Sequence, residues 1–195
     1  MLLLLLALPA FVFLILKQFG TNHFRLPYYL PLTDQEGIPR LSGRDTLYTQ
    51  LDLNLLDVKA DSASLHLYLV HAVRMPCADS CEKVLAQAAR LYSLSSTIKG
   101  LRLISLAEKG VFDSARSERW IIKEMINEEL NKKIAALRFE EKLLGGQTIP
   151  LKAKFLLLDH KGFIRGYYNA LSPEDIDRAM AEIKVLEYEY KQTEN

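Results

Sequence analysis

The chain has 195 residues, 49% of them hydrophobic and 25% charged, the composition of one globular domain of ordinary size with a short appendage. Nine glycines and seven prolines exclude a collagen-like or low-complexity chain, and 25 basic residues against 24 acidic ones leave no bulk basicity to hold nucleic acid. Two cysteines are too few for a disulfide-built scaffold or a structural zinc site, so their spacing calls for its own explanation.

Residues 2–16 (LLLLLALPAFVFLIL) are an unbroken apolar run closed by Lys17. As a helix rising about 1.5 Å per residue the run spans roughly 22 Å, and Met1, Phe19 and a snorkelling Lys17 extend it toward a bilayer core of about 30 Å. A cleaved signal should show small residues after the run, and Lys17-Gln18-Phe19-Gly20 offers no A-x-A-like site. A core helix should carry a polar face, and this one has none. Residues 1–18 are therefore expected to form a transmembrane anchor, residues 19–30 a linker near the membrane surface, and residues 31–192 the folded domain. Lys17 and Arg25 follow the run and no basic residue precedes it, so the charge rule does not favour a cytoplasmic N-terminus.

Further along, residues 46–56 are the better candidate for an added N-terminal strand. Residues 65–73 (LHLYLVHAV) predict a strand from their β-branched and aromatic content. Residues 79–94 carry a helical stripe of Cys81, Val84, Leu85, Ala88, Leu91 and Leu94. Residues 101–106 predict a second strand. Residues 117–144 predict a long helix with Ile122, Met125, Ile126 and Leu130 on one face, ending at Gly145-Gly146. Residues 154–158 and 163–168 predict a hairpin turning at Asp159-His160-Lys161-Gly162. Ser172-Pro173-Glu174-Asp175 predicts the start of a final helix, with Ile176, Ala179, Met180, Ile183 and Leu186 facing the core. The resulting order β-α-β-α-β-β-α is that of an α/β, thioredoxin-like layered fold with an N-terminal strand extension.

Cys77-Ala78-Asp79-Ser80-Cys81 stands where the first of these strands turns into a helix. Four positions of separation bring both sulfurs to one side of the helix start, where unpaired N–H groups and the helix dipole stabilise thiolates. Such a pair suits disulfide exchange or a soft cation such as Cu(I); the plain alternative is a structural disulfide or two unrelated buried cysteines.

This C-x3-C after an apolar strand resembles that of the SCO/SenC family, membrane-tethered thioredoxin-fold proteins of copper delivery to cytochrome c oxidase. Leu32-Thr33-Asp34-Gln35-Glu36-Gly37 is similar to the family's opening strand and turn, and residues 155–168 (FLLLDHKGFIRGYY) to its late hairpin. The resemblance implies copper or thiol chemistry at Cys77 and Cys81, a periplasmic or equivalent extracytoplasmic domain, and a respiratory oxidase subunit or another copper or thiol protein as partner. The family's third metal ligand, a His ahead of the late strand, falls at Leu151. Its Asp after the middle strand falls at Ala107, and the Pro that faces the cysteines in thioredoxin-like reductases falls near Ala153, with Pro150 three residues earlier.

Among other candidates, His71 lies six residues before Cys77 and could substitute as a ligand, against the plainer reading of a hydrogen-bonded strand histidine. His160 sits at the far end of a strand of roughly 20 Å. His66 and His23 have no motif around them, and a Met75 thioether is a further soft donor. No phosphate-binding glycine loop, H-E-x-x-H or G-x-S-x-G occurs. Three functions follow: copper(I) handling or thiol redox in oxidase assembly, a specialised thiol–disulfide oxidoreductase, or an interaction module stapled by a structural disulfide.

Overall fold

The computed structural model describes residues 11, 25–58, 65–74, 80–112, 119–140 and 149–193. The expected anchor, except for residue 11, lies outside them, as do His23, Met75, Cys77 and Gly145-Gly146. Among the described residues no helix is long and apolar enough to cross a membrane.

Seven strands and three helices are described: β1 (Leu41–Ser42), β2 (Asp45–Thr46), β3 (Leu67–Val73), α1 (Ser80–Tyr92), β4 (Leu101–Glu108), β5 (Trp120–Met125), α2 (Asn127–Ala136), β6 (Lys154–Leu158), β7 (Ile164–Asn169) and α3 (Pro173–Thr193). Strands β3 to β7 form one sheet in the order β5-β4-β3-β6-β7, while β1 and β2 pair separately. Pairing is parallel between β3 and β4 and between β4 and β5, and antiparallel between β3 and β6 and between β6 and β7. The mixed α/β, thioredoxin-like arrangement expected from the element order is therefore present.

The central strand explains the layering. All seven side chains of β3 are buried, so both faces of the sheet must be covered. Leu67 and Leu69 pack with Val84, Ala88 and Leu91 of α1 and with Ile176, Ala179, Ile183 and Leu186 of α3. Tyr68, Val70 and Ala72 face Leu130 and Ile134 of α2 and Leu51, Leu56 and Phe139 on the opposite side. Helix α3 starts as expected: the Asp175 amide donates to Ser172 Oγ at 3.2 Å, and Asp175 Oδ2 accepts from the Asn169 amide at 2.9 Å.

Two expectations need correction. Residues 120–125 are a strand, not the front of a long helix; α2 starts only at Asn127. The spacing of Ile122, Met125 and Ile126 mimics a helical face, but pairing with β4 in register from Leu103↔Trp120 to Glu108↔Met125 satisfies the backbone of this β-branched, aromatic run. The N-terminal extension carries two-residue strands that end at Thr46, and Leu53–Leu56 forms a 3-10 turn capped by Asp52, whose carboxylate accepts from the Asn54 amide. Asp52 competes for the local backbone, which favours a turn over a continuous strand.

Residues 26–29 are docked onto the domain. The Leu26 amide donates to Glu189 Oε1 at 2.6 Å and the Tyr29 amide to the Ile164 carbonyl at 3.0 Å. Arg165 secures the segment. Its guanidinium, 2% exposed, donates to the Leu26 carbonyl at 2.8 Å, pairs with Glu189 at 3.0 Å and Asp159 at 3.3 Å, and lies 4.1 Å from the centre of the Tyr28 ring. At the adjoining turn Gly162 has φ +87°, and a Cβ there would meet the Leu51 carbonyl at 2.2 Å.

Because Arg165→Ala would leave the Asp159 and Glu189 carboxylates buried without their cation, it is expected to destabilise the domain by about 3–5 kcal/mol. Urea unfolding followed by Trp120 fluorescence measures this; a loss below about 1 kcal/mol would show the cluster to be solvated like a surface pair.

Candidate functional site

A parallel β3–β4 pair cannot be joined by a tight turn, so the chain must cross over through a helix. That crossover carries α1 away from the end of β3, and Cys81 is the second described residue of the helix, half-buried. Cys81 is disulfide-bonded, and the sequence contains one other cysteine, Cys77. In general a helix start carries amides without intrahelical partners and the positive end of a dipole, which favour a thiolate over a thiol.

The 3-10 turn Leu151–Ala153 packs against both α1 and β3, directly after Pro150. It stands where the family resemblance would put a metal-binding His, and Leu151 supplies hydrocarbon there. Ala107, at the position of the family's Asp, pairs with Val73 within the sheet and is fully buried. Among the described residues no group of three His, Cys, Asp or Glu side chains could hold a metal ion.

The structure places His71 within β3, opposite Ser105 of β4 and Phe155 of β6. Its Nε2 lies 2.5 Å from Ser105 Oγ, which also accepts from the Trp120 indole N–H at 2.8 Å. The ring sits 4.9 Å from the Phe155 ring, and its Nδ1 is buried without a hydrogen-bond partner. Burial pushes the imidazole pKa down to about 3, so His71 is neutral at physiological pH. His66 is buried at the foot of β3 and stacks on Tyr68, while His160 stands edge-on to Tyr190 in the β6–β7 hairpin, at the opposite end of the sheet from Cys81.

Sequence reasoning left three features unseen. Ser105 and Trp120 meet His71 only through strand register, which no local pattern encodes. Arg74, directly after β3 and three residues before Cys77, donates through Nη2 to Asn131 of α2, and its Nε is buried without a partner. Its only sequence signal is a charged residue closing an apolar strand beside the cysteine motif.

The buried neutral His71 makes a pH prediction. The unfolded chain takes up a proton near pH 6.5 that the folded chain refuses until about pH 3. Stability should therefore rise with pH across that window, by about 1.4 kcal/mol per pH unit from this group. Denaturant midpoints at several pH values should show a shallower acid limb in a His71→Leu/Ser105→Ala variant than in the native chain; equal slopes would mean that His71 protonates in place.

No family profile matches the sequence. No curated protein matches it either. Solved structures do resemble the fold. A SCO1/SenC family lipoprotein from Bacillus anthracis superimposes with a TM-score of 0.50 at 16% identity, covering 85% of this chain and 96% of that one. Peroxiredoxin Q of Xanthomonas campestris gives a TM-score of 0.45 at 16% identity over 85% and 98% of the two chains. Yeast Sco1 gives 0.40 at 14% identity over 62% and 85%. The first likeness is one of fold: this chain carries a thioredoxin-like α/β domain similar to that of a SCO1/SenC lipoprotein.

Proposed function

We propose that Cys77 and Cys81 form a thiol–disulfide couple which, when reduced, takes up Cu(I) as cargo, and that the domain does this on the extracytoplasmic side of a membrane during respiratory oxidase assembly. The observation that carries the reading is a disulfide-bonded Cys81 in the first turn of α1, at the edge where β3 ends. Reduction adds two electrons and two protons to the disulfide, and the helix start favours release of those protons from the thiols. Two thiolates satisfy Cu(I), a soft ion content with two donors. Cu(II) prefers additional nitrogen or oxygen ligands, and Leu151 offers none. His71 is a poor third ligand because its Nε2 is already engaged by Ser105.

A second reading is a specialised thiol–disulfide oxidoreductase, favoured by the disulfide at Cys81. A partner thiolate attacks one sulfur of the pair, displaces the other as thiolate and forms a mixed disulfide; a second partner thiol then releases the reduced pair.

Competition titration of the reduced protein should show tight Cu(I) binding that is lost in both Cys77→Ser and Cys81→Ser. Added Cu(II) should give no intense sulfur-to-copper charge-transfer band. Weak Cu(I) binding together with a reduction potential near that of the compartment would favour the oxidoreductase reading instead.

A further inference from the structure

Strand β7 is one of the two outer strands of the five-stranded sheet. The outer side of such a strand offers backbone donors and acceptors to any strand that comes alongside. The Ala170 amide donates to the Ala153 carbonyl at 2.7 Å. Successive residues of a strand turn their backbone groups opposite ways, so those of Tyr167 and Asn169 point away from β6.

Side chains and turns meet these groups where a sixth strand would otherwise lie. The Asn169 amide donates to Asp175 Oδ2 at 2.9 Å, and the Asn169 carbonyl accepts from the Ser172 amide at 3.0 Å. The Tyr167 carbonyl accepts from Arg178 Nη2 at 2.9 Å. Nearer the hairpin the Ile164 carbonyl accepts from the Tyr29 amide at 3.0 Å, and the Tyr29 ring stands edge-on to Tyr167 at 5.5 Å.

Arg178 is held in place on three sides. It pairs with Asp175 at 3.0 Å and with Glu182 at 3.2 Å, and its guanidinium lies 4.6 Å from the centre of the Tyr168 ring. The Tyr168 hydroxyl donates to Glu182 Oε2 at 2.7 Å, which ties the far end of the group to the strand. Asp175, Arg178 and Glu182 follow one another at intervals of three and four residues, so they share one face of α3. Beside that face runs the apolar stripe of Ile176, Ala179 and Ile183 that packs into the core. Partly exposed ion pairs of this kind contribute little to stability. Their distinctive effect is to occupy main-chain groups that an incoming strand needs.

We infer that the Asp175–Arg178–Glu182 face of α3 is an edge guard: it fills the outer hydrogen-bonding side of β7 and keeps a second copy of this chain from adding its own β7 there. Two copies related by a two-fold axis would set β7 antiparallel to β7 and join their sheets into one. For that, Arg178 must leave the Tyr167 carbonyl and Asp175 the Asn169 amide.

The test uses the full chain in detergent micelles, native disulfide intact, with donor or acceptor fluorophores at Tyr188→Cys, an exposed position of α3. In Asp175→Ala/Arg178→Met, energy transfer between copies should rise about fivefold as the protein-to-micelle ratio is raised, while the amides of residues 165–169 exchange about tenfold more slowly. The otherwise native chain should show neither change. Nor should Arg90→Ala/Asp177→Ala, which removes an exposed ion pair between α1 and α3 and no bond to β7. An opened variant that keeps the native near-ultraviolet circular dichroism yet stays single overturns the inference. Association no greater than in the Arg90/Asp177 variant, or association that leaves exchange at 165–169 unchanged, overturns it as well, as does a native chain that already pairs through those amides. If the double variant loses the native dichroism, Arg178→Met alone, which leaves Asp175 at the helix start, is judged by the same two measurements.

Discussion

The arrangement depends on the complete burial of β3. A strand with seven buried side chains needs neighbours on both edges and helices on both faces, and its parallel pairing with β4 obliges the chain to cross over through α1. That crossover, more than any feature of the cysteines, brings Cys81 to the tip of a helix beside the end of a strand. The chemistry proposed for the pair uses what every helix start provides: unpaired amides and the positive end of a dipole.

Among the described residues, the turn beside α1 and β3 is apolar where a third donor would stand. The turn Leu151–Ala153 is close enough to α1 and β3 to supply a donor, yet it presents Leu151. The one imidazole on the same strand is committed to Ser105 and kept neutral by burial. The proposal therefore rests on the two sulfurs alone, whose chemistry needs no third ligand. The buried Nδ1 of His71, without a hydrogen-bond partner, costs free energy beside a core of Leu67, Leu69, Val84 and Leu91.

At the opposite edge Arg165 welds three distant stretches together: the entry segment at Leu26, the hairpin at Asp159 and the last turns of α3 at Glu189. Breaking this cluster would loosen the entry segment at Leu26, while Tyr29 and Leu51 keep their own backbone bonds to the hairpin. The entry segment and Cys81 thus lie at opposite ends of the sheet, and the length of β3 sets the distance between them.

Local patterns determined much of this. The apolar runs of β3, β4, β6 and β7, the helical stripe after Cys81, and the cap Ser172-Pro173 each encode their element within a few residues, because periodicity and capping act over one or two turns. The placement of Cys81 in the helix that follows β3 was legible for the same reason. Tertiary structure alone decided that Trp120–Met125 is a strand, since its register partners lie 17 residues away in β4 and its own spacing fits a helix equally well. It alone decided the meetings of His71 with Ser105 and Trp120, and of Arg165 with Glu189 and Leu26. Those contacts follow from register between distant segments, which no short window of sequence can hold.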